Sequence, residues 1–309
     1  MGKRLLIAVD DTDASRRAIR YVAYLAGMID QLRCQLLFVL PAESSAKADP
    51  AGSEPKTHRD DDHLSAVPDG SAKVILEQGR DILQKKGALV EGIETIQRLP
   101  KEGVAEAILD YGLQNRMSAV VAGRRRRSTL KKTFLGSVSA DLVEQSTCLP
   151  VWIVGSEPPN DRFLVPVDGS ESALRAVDHL SQIFKDHSDT VFQFLHIVPR
   201  LGESCAIDYG PESSRLERLG LRGVHHCIDN FCAKAALLFQ SAGLRENQID
   251  IKVGQGLFHP GKAIVAEIRR GGFRTVIIGR RGMRRSLATG SVSRYVITKS
   301  DPITLWLVP

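Results

Sequence analysis

One short pattern occurs twice in this chain. Residues Gly123 to Ser139 read GRRRRSTLKKTFLGSVS, and Gly279 to Ser293 read GRRGMRRSLATGSVS. Each stretch follows a brief apolar run, Ala119 to Ala122 or Val276 to Ile278, and ends in Gly-Ser ahead of a segment with helical patterning. Strand, glycine-bearing loop and helix, repeated half a chain apart, predict one α/β domain encoded twice. From Gly136 and Gly290 onward the copies align without a gap, which sets Trp152 opposite Trp306.

The rest of each half agrees with that reading. Arg4 to Val9 is a nearly continuous apolar run closed by Asp10, the pattern of a strand buried on both faces. Ala18, Ile19, Val22, Ala23, Leu25 and Ala26 then recur at helical intervals, with Gly27 at the end. Further strands are expected at Gln35 to Leu40, within Leu89 to Leu99, at Ser118 to Ala122 and at Val151 to Val154. Helices are expected near Ala72 to Lys86, Val104 to Asn115 and Ser137 to Ser146. In the second half, Phe163 to Val167 closes with Asp168, and strands are expected at Phe192 to Val198, Ile249 to Val253, Thr275 to Ile278 and Thr304 to Val308. Alternating strands and helices require crossover connections, hence parallel sheets covered on both faces. The expected architecture is α/β: two tandem Rossmann-like open-sheet domains, residues 1–157 and 161–309, each a mainly parallel five-stranded sheet flanked by helices. Pro158-Pro159-Asn160 marks the linker. Pro41 to Gly70, poor in large apolar residues, is expected to be mobile, and the stretch after Pro199 through about Arg222 is a second insertion.

Ligands of such sheets lie beyond the carboxyl ends of strands, where the strand order reverses. Asp10, Asp168 and both glycine loops fall at those ends. A helix N-terminus leaves its first N–H groups unpaired and carries partial positive charge, and glycine lets the backbone approach an anion closely. Gly136-Ser137 and Gly290-Ser291 therefore make candidate phosphate cradles, against the plainer alternative of tight turns that bind nothing. Arg124 to Arg127, Lys131 and Lys132 in the first loop, and Arg280, Arg281, Arg284 and Arg285 in the second, concentrate positive charge there.

The bulk composition narrows the field. The net charge of +6, from 42 Lys and Arg against 36 Asp and Glu, does not by itself indicate a nucleic-acid partner. Aromatic residues for base stacking are also scarce beside the arginines. No apolar stretch approaches the roughly 20 residues that span a bilayer, so no membrane partner and a cytoplasmic location are expected. Five cysteines without framework spacing point to reduced thiols. There is no Walker loop, no Gly-x-Gly-x-x-Gly after a strand, no Gly-x-Ser-x-Gly elbow and no zinc-protease helix. No catalytic residue is assigned, and no efficient enzyme is expected. His225-His226-Cys227 with Cys232 lies on the apolar repeat of a helix, which favours burial over metal binding. His196 is expected to be a hydrogen-bonded structural histidine.

With its glycine loops and strand-terminal aspartates, the chain resembles a tandem universal stress protein. In nucleotide-binding members of that family the signature after the fourth strand is Gly-x2-Gly-x9-Gly-Ser/Thr, with an Asp closing the first strand and a second-strand residue beside the adenine. The resemblance implies adenine-nucleotide sites at Asp10, Val39, Gly123, Gly136 and Ser137, and at Asp168, Ile197, Gly279, Gly282, Gly290 and Ser291. Each loop departs from the pattern once. Arg126 replaces the second glycine of the first loop, where it either pairs with phosphate or fills its space. In the second, seven residues rather than nine separate Gly282 from Gly290. The second half otherwise follows the family closely at Val167-Asp168-Gly169-Ser170.

The expected function is a cytoplasmic stress-response regulator that binds ATP with Mg2+, hydrolyses it slowly at most, and signals to an unknown protein partner by occupancy. Asp10, Asp11 and Asp13 are either ligands for Mg2+ near a phosphate or a solvated turn with a helix cap, and no metal ligand is assigned. The alternative is a nucleotide-independent member of the same fold that acts through protein contacts, its loop arginines facing an acidic partner. Val151 to Val154 and Leu305 to Val308 are apolar edges expected to pair the two halves about a pseudo-twofold, with a homodimer as a further open alternative.

Overall fold

A computed structural model describes residues 3–40, 69–85, 93–100, 102–125, 136–155, 161–187, 189–199, 223–256, 259–280 and 291–309. Residues 41–68 of the first insertion, the second insertion, the linker and the middle of each glycine loop lie outside these residues; Asp69 and Gly70, read from the sequence as the end of the first insertion, instead begin a helix.

The first half runs β1 (Arg4–Val9), α1 (Asp13–Ala26), β2 (Arg33–Val39), α2 (Asp69–Lys85), β3 (Ile93–Arg98), α3 (Val104–Gln114), β4 (Ala119–Gly123), α4 (Ser137–Gln145) and β5 (Val151–Val154). The second runs β6 (Arg162–Val167), α5 (Glu171–Ile183), β7 (Val191–Pro199), α6 (Gly223–Ser241), β8 (Ile249–Gly256), α7 (Pro260–Gly271), β9 (Thr275–Gly279), α8 (Ser291–Lys299) and β10 (Thr304–Val308). The expected central strands lie within a residue or two of the observed ones, because a buried parallel strand must be apolar on both faces and ends where polarity resumes. The edge strands are less legible: β8 runs three residues past its expected end, and β3, with a largely exposed sequence, is only bracketed within Leu89 to Leu99.

The strands form a single sheet in the order β3-β2-β1-β4-β5-β10-β9-β6-β7-β8. All pairings within a half are parallel, and β5 and β10 join the halves in antiparallel register with Trp306 directly opposite Trp152. The α/β class of the sequence analysis holds, with the two five-stranded sheets merged edge to edge. Strand order turns back between β1 and β4, and again between β6 and β9, which opens a crevice at their carboxyl ends in each half.

Alternation along β1 sends Leu5, Ile7 and Val9 to one face and Leu6 to the other. The first face packs against α1, α2, α5 and α6, the second against α3, α4, α7 and α8, and both apolar layers run through the two halves without a break. At the seam the indoles of Trp152 and Trp306 stack with centroids 3.7 Å apart and planes 3° from parallel, and both are fully buried.

Helix starts follow their local chemistry. Thr12 caps α1 by accepting from the backbone N–H of Ser15, and Ser170 caps α5 by accepting from Ala173. Helix α4 begins after Gly136, an N-cap with no side chain to offer it.

Candidate functional site

The crevice beside β1 and β4 is a cavity of about 380 Å³, within the range of small-molecule sites. Its floor is apolar: Val9 from β1, Leu37, Phe38 and Val39 from β2, and Ala122 from β4. Ile75 of α2 and Val104 and Ile108 of α3 form its walls. Its polar end is built by Asp10, Thr12, Ser15, Arg125, Gly136, Ser137 and Ser139. A flat apolar body with a polar or anionic tail suits this division.

The polar end is ordered by short-range bonds. The backbone N–H of Asp10 donates to Ser15 Oγ at 3.1 Å, and Asp10 Oδ1 accepts from the N–H of Thr12 at 3.1 Å and from its hydroxyl. Arg125 Nη2 donates to the other carboxylate oxygen, Oδ2, at 2.9 Å. Both side chains are nearly half exposed, 48% and 43%, so the pair contributes no more than about 1 kcal/mol. The aliphatic stem of Arg125 runs along Gly136, where a Cβ would lie 3.3 Å from Arg125 Cδ. Arg125 thus spans the gap between the start of α4 and the end of β1. Ser139 Oγ donates to the Gly123 carbonyl at 3.1 Å, tying α4 to β4, and Ser293 repeats the bond to Gly279 at 3.3 Å.

Asp10, Val39, Gly123, Gly136 and Ser137 all line this one cavity. In the second half, Asp168 follows β6 and its Oδ1 accepts from Ser170 N–H at 3.0 Å, matching Asp10 and Thr12. Ile197 lies in β7 with its side chain over Gly254 of the neighbouring strand, Gly279 ends β9 and Ser291 opens α8. Arg126, Gly282 and Gly290 lie outside the described residues.

Two features add to the sequence expectations. Gly123 and Gly279 also serve packing: a Cβ on either would meet a helix backbone carbonyl, Ala14 or Ser172, at 2.1 Å. Their lack of a side chain lets the first turn of α1 or α5 approach the sheet. The arginines also divide. Arg124 and Arg280 are buried, at 1% and 2% exposure, instead of facing a phosphate. Arg124 crosses into the second half, where Nη2 donates to the Ile297 carbonyl at 2.8 Å and Nε lies 3.6 Å from Asp301 Oδ1. Burial lowers the pKa of Arg280 from its ordinary value. Arg125, one residue further on, lines the cavity.

The acidic cluster beside the cavity suits a divalent cation poorly. Asp11 and Asp13 both pair with Arg16, at 3.1 and 3.2 Å, and Asp10 is engaged by Arg125 and Thr12. Among the described residues no group of three or more His, Cys, Asp or Glu side chains is placed to hold a metal ion. His225, His226 and Cys227 begin α6, but their side chains lie outside the description. His196 Nδ1 lies 3.0 Å from the Val167 carbonyl, a backbone partner consistent with a structural histidine. Among the described residues no helix is long and apolar enough to cross a membrane.

Sequence reasoning passed over Phe38, Ile75, Ile108 and Ala122, which shape the cavity. Phe38 and Ala122 could have been found as neighbours of Val39 and Gly123 at strand ends. Ile75 and Ile108 carry only the ordinary helical apolar signal.

Residues 1–155 and 159–309 each match the sequence model of the universal stress protein family. Among solved structures, a universal stress protein from Archaeoglobus fulgidus DSM 4304 is similar over 99% of this chain and 97% of its own, at 19% identity and a TM-score of 0.63. A functionally unknown protein from Pseudomonas aeruginosa PAO1 is similar over 99% of this chain and 92% of its own, at 13% identity and a TM-score of 0.61. At these identities the structural likeness speaks for the fold alone. No curated protein sequence matches the chain significantly.

Proposed function

The chain belongs to the universal stress protein family, with a family domain in each half, and from that membership we propose that it is a stress-response regulator whose first-half cavity takes an adenine nucleotide. Occupancy, not turnover, is the signal. The observation that carries this reading is the convergence of Asp10, Val39, Gly123, Gly136 and Ser137 on one cavity with an apolar floor and a polar end. These residues come from three strand ends and a helix start far apart in sequence. In this reading the base lies against Val39 and the α3 wall, and the phosphates meet Ser137 and the first N–H groups of α4. In this reading hydrolysis is slow at most, because the two carboxylates lining the cavity are already engaged, Asp10 by Arg125 and Thr12 and Asp11 by Arg16.

The test is calorimetric titration of nucleotide-stripped protein with ATP. A saturable site is expected in the wild type and should be lost in Val39→Trp, which fills the base end, while the circular dichroism spectrum stays unchanged. Absence of heat at millimolar ATP would remove the reading. The alternative of a nucleotide-independent protein with a basic docking surface loses two of its arginines, since Arg124 and Arg280 are buried.

A further inference from the structure

We propose that Arg125 is the phosphate-binding cation of the first-half cavity, held in reserve by Asp10, so that the site takes a nucleotide by exchanging one anion for another and needs no divalent metal. This rests on the nucleotide reading of the same cavity and specifies which form of nucleotide enters it and how.

The geometry carries the exchange. Arg125 lies across the polar end, its stem against Gly136 and its guanidinium on Asp10 Oδ2. The two oxygens of Asp10 have separate partners. Oδ1 is held by the backbone and hydroxyl of Thr12, while Oδ2 meets Arg125. When Arg125 swings away, Asp10 stays seated. Ser137, Val138 and Ser139, the first residues of α4, line the same end, and their N-cap, Gly136, has no side chain to cap the helix. An anion there sits on a helix N-terminus with a guanidinium stem already packed beside it. The present partner is a half-exposed carboxylate, a weak competitor. A phosphate gains the guanidinium and the helix N–H groups together, so it displaces Asp10.

Metal coordination has no comparable support at this end. Asp11 and Asp13 point their carboxylates at Arg16, and a cation would have to compete with Arg125 for Asp10. A nucleotide whose terminal phosphates are free of metal therefore suits the site better than its magnesium complex, and adenosine without phosphate gains nothing from Arg125.

Calorimetry of the full chain with ATP and with adenosine, each in EDTA and in excess Mg2+, tests this on the wild type, Arg125→Gln, Arg125→Lys and Asp10→Asn. Wild-type ATP affinity should be at least as high in EDTA as in Mg2+. Arg125→Gln should weaken ATP by about tenfold to a hundredfold, leave adenosine affinity in place, and be partly rescued by Arg125→Lys. Asp10→Asn should strengthen ATP several-fold by removing the competing carboxylate. ATP binding that requires Mg2+, or equal losses of ATP and adenosine in Arg125→Gln, would overturn the role of Arg125 while leaving the nucleotide site standing. Failure of the wild type to bind either ligand under any condition would remove both.

Discussion

Trp306, near the end of the chain, donates its indole N–H to the hydroxyl of Tyr21 in the first helix at 2.9 Å. Tyr21 in turn lies 3.1 Å from Thr275 Oγ1, so a first-half side chain is bonded to two second-half residues. The opposite indole mirrors this, with Trp152 Nε1 donating to His179 Nε2 at 3.1 Å. Each half places its tryptophan on the other half's helix. The seam is thus fixed by direction-dependent bonds as well as by stacking.

Tyr21→Phe should destabilise the protein by about 1–3 kcal/mol, because it leaves the buried indole N–H of Trp306 without its acceptor. Burial already holds the Tyr21 phenol above its ordinary pKa, so the hydroxyl is lost from a dry site. Chemical denaturation of the variant alone and combined with Trp306→Phe measures this. The combined loss should fall short of the sum of the single ones.

His179 makes the seam sensitive to acid. Burial pulls its pKa down to about 3, and an unfolded histidine titrates near 6.5. The folded pKa is the lower one, so the contribution is complete above the unfolded value and declines as pH falls toward the folded one. The slope for one proton is about 1.4 kcal/mol per pH unit. Urea midpoints taken from neutral pH down to about 5 should fall more steeply in the wild type than in His179→Gln. Equal slopes would mean that the imidazole is not held neutral.

The glycines should separate by role. Gly123→Ala places a methyl group 2.1 Å from the Ala14 carbonyl, so helix α1 must move off the sheet. A loss of several kcal/mol or a failure to fold is expected. Gly136→Ala meets only the flexible stem of Arg125, at 3.3 Å, and should change the midpoint by less than about 1 kcal/mol while altering ATP affinity. Thermal melts and calorimetry on the pair distinguish a packing glycine from a ligand glycine.

Arg124→Met keeps the stem but removes the bonds to the Ile297 carbonyl and Asp301. A loss of about 2–3 kcal/mol is expected, since buried acceptors lose a charged donor. Nucleotide affinity should be unaffected, because Arg124 does not line the cavity. A specific loss of ATP binding with stability unchanged would reverse these assignments.

The sequence by itself determined the repeated α/β pattern, the strand positions and the strand ends at which a ligand would sit. Those features are local: Arg4–Val9 and Thr304–Val308 are strands because each is an apolar run interrupted at a fixed length, and Asp10 and Asp168 stand where that run stops. Tertiary structure decided what adjacent, chemically identical side chains do. Arg124 and Arg125 are indistinguishable in sequence, yet one is buried against the second half and the other spans the cavity. Their destinations depend on the docking of α8 and on the position of Asp10, each far away along the chain. Gly123 likewise owes its identity to the backbone of Ala14, which reaches it only once α1 has packed on the sheet. Patterning records what each segment buries, and long-range packing settles which atoms it meets.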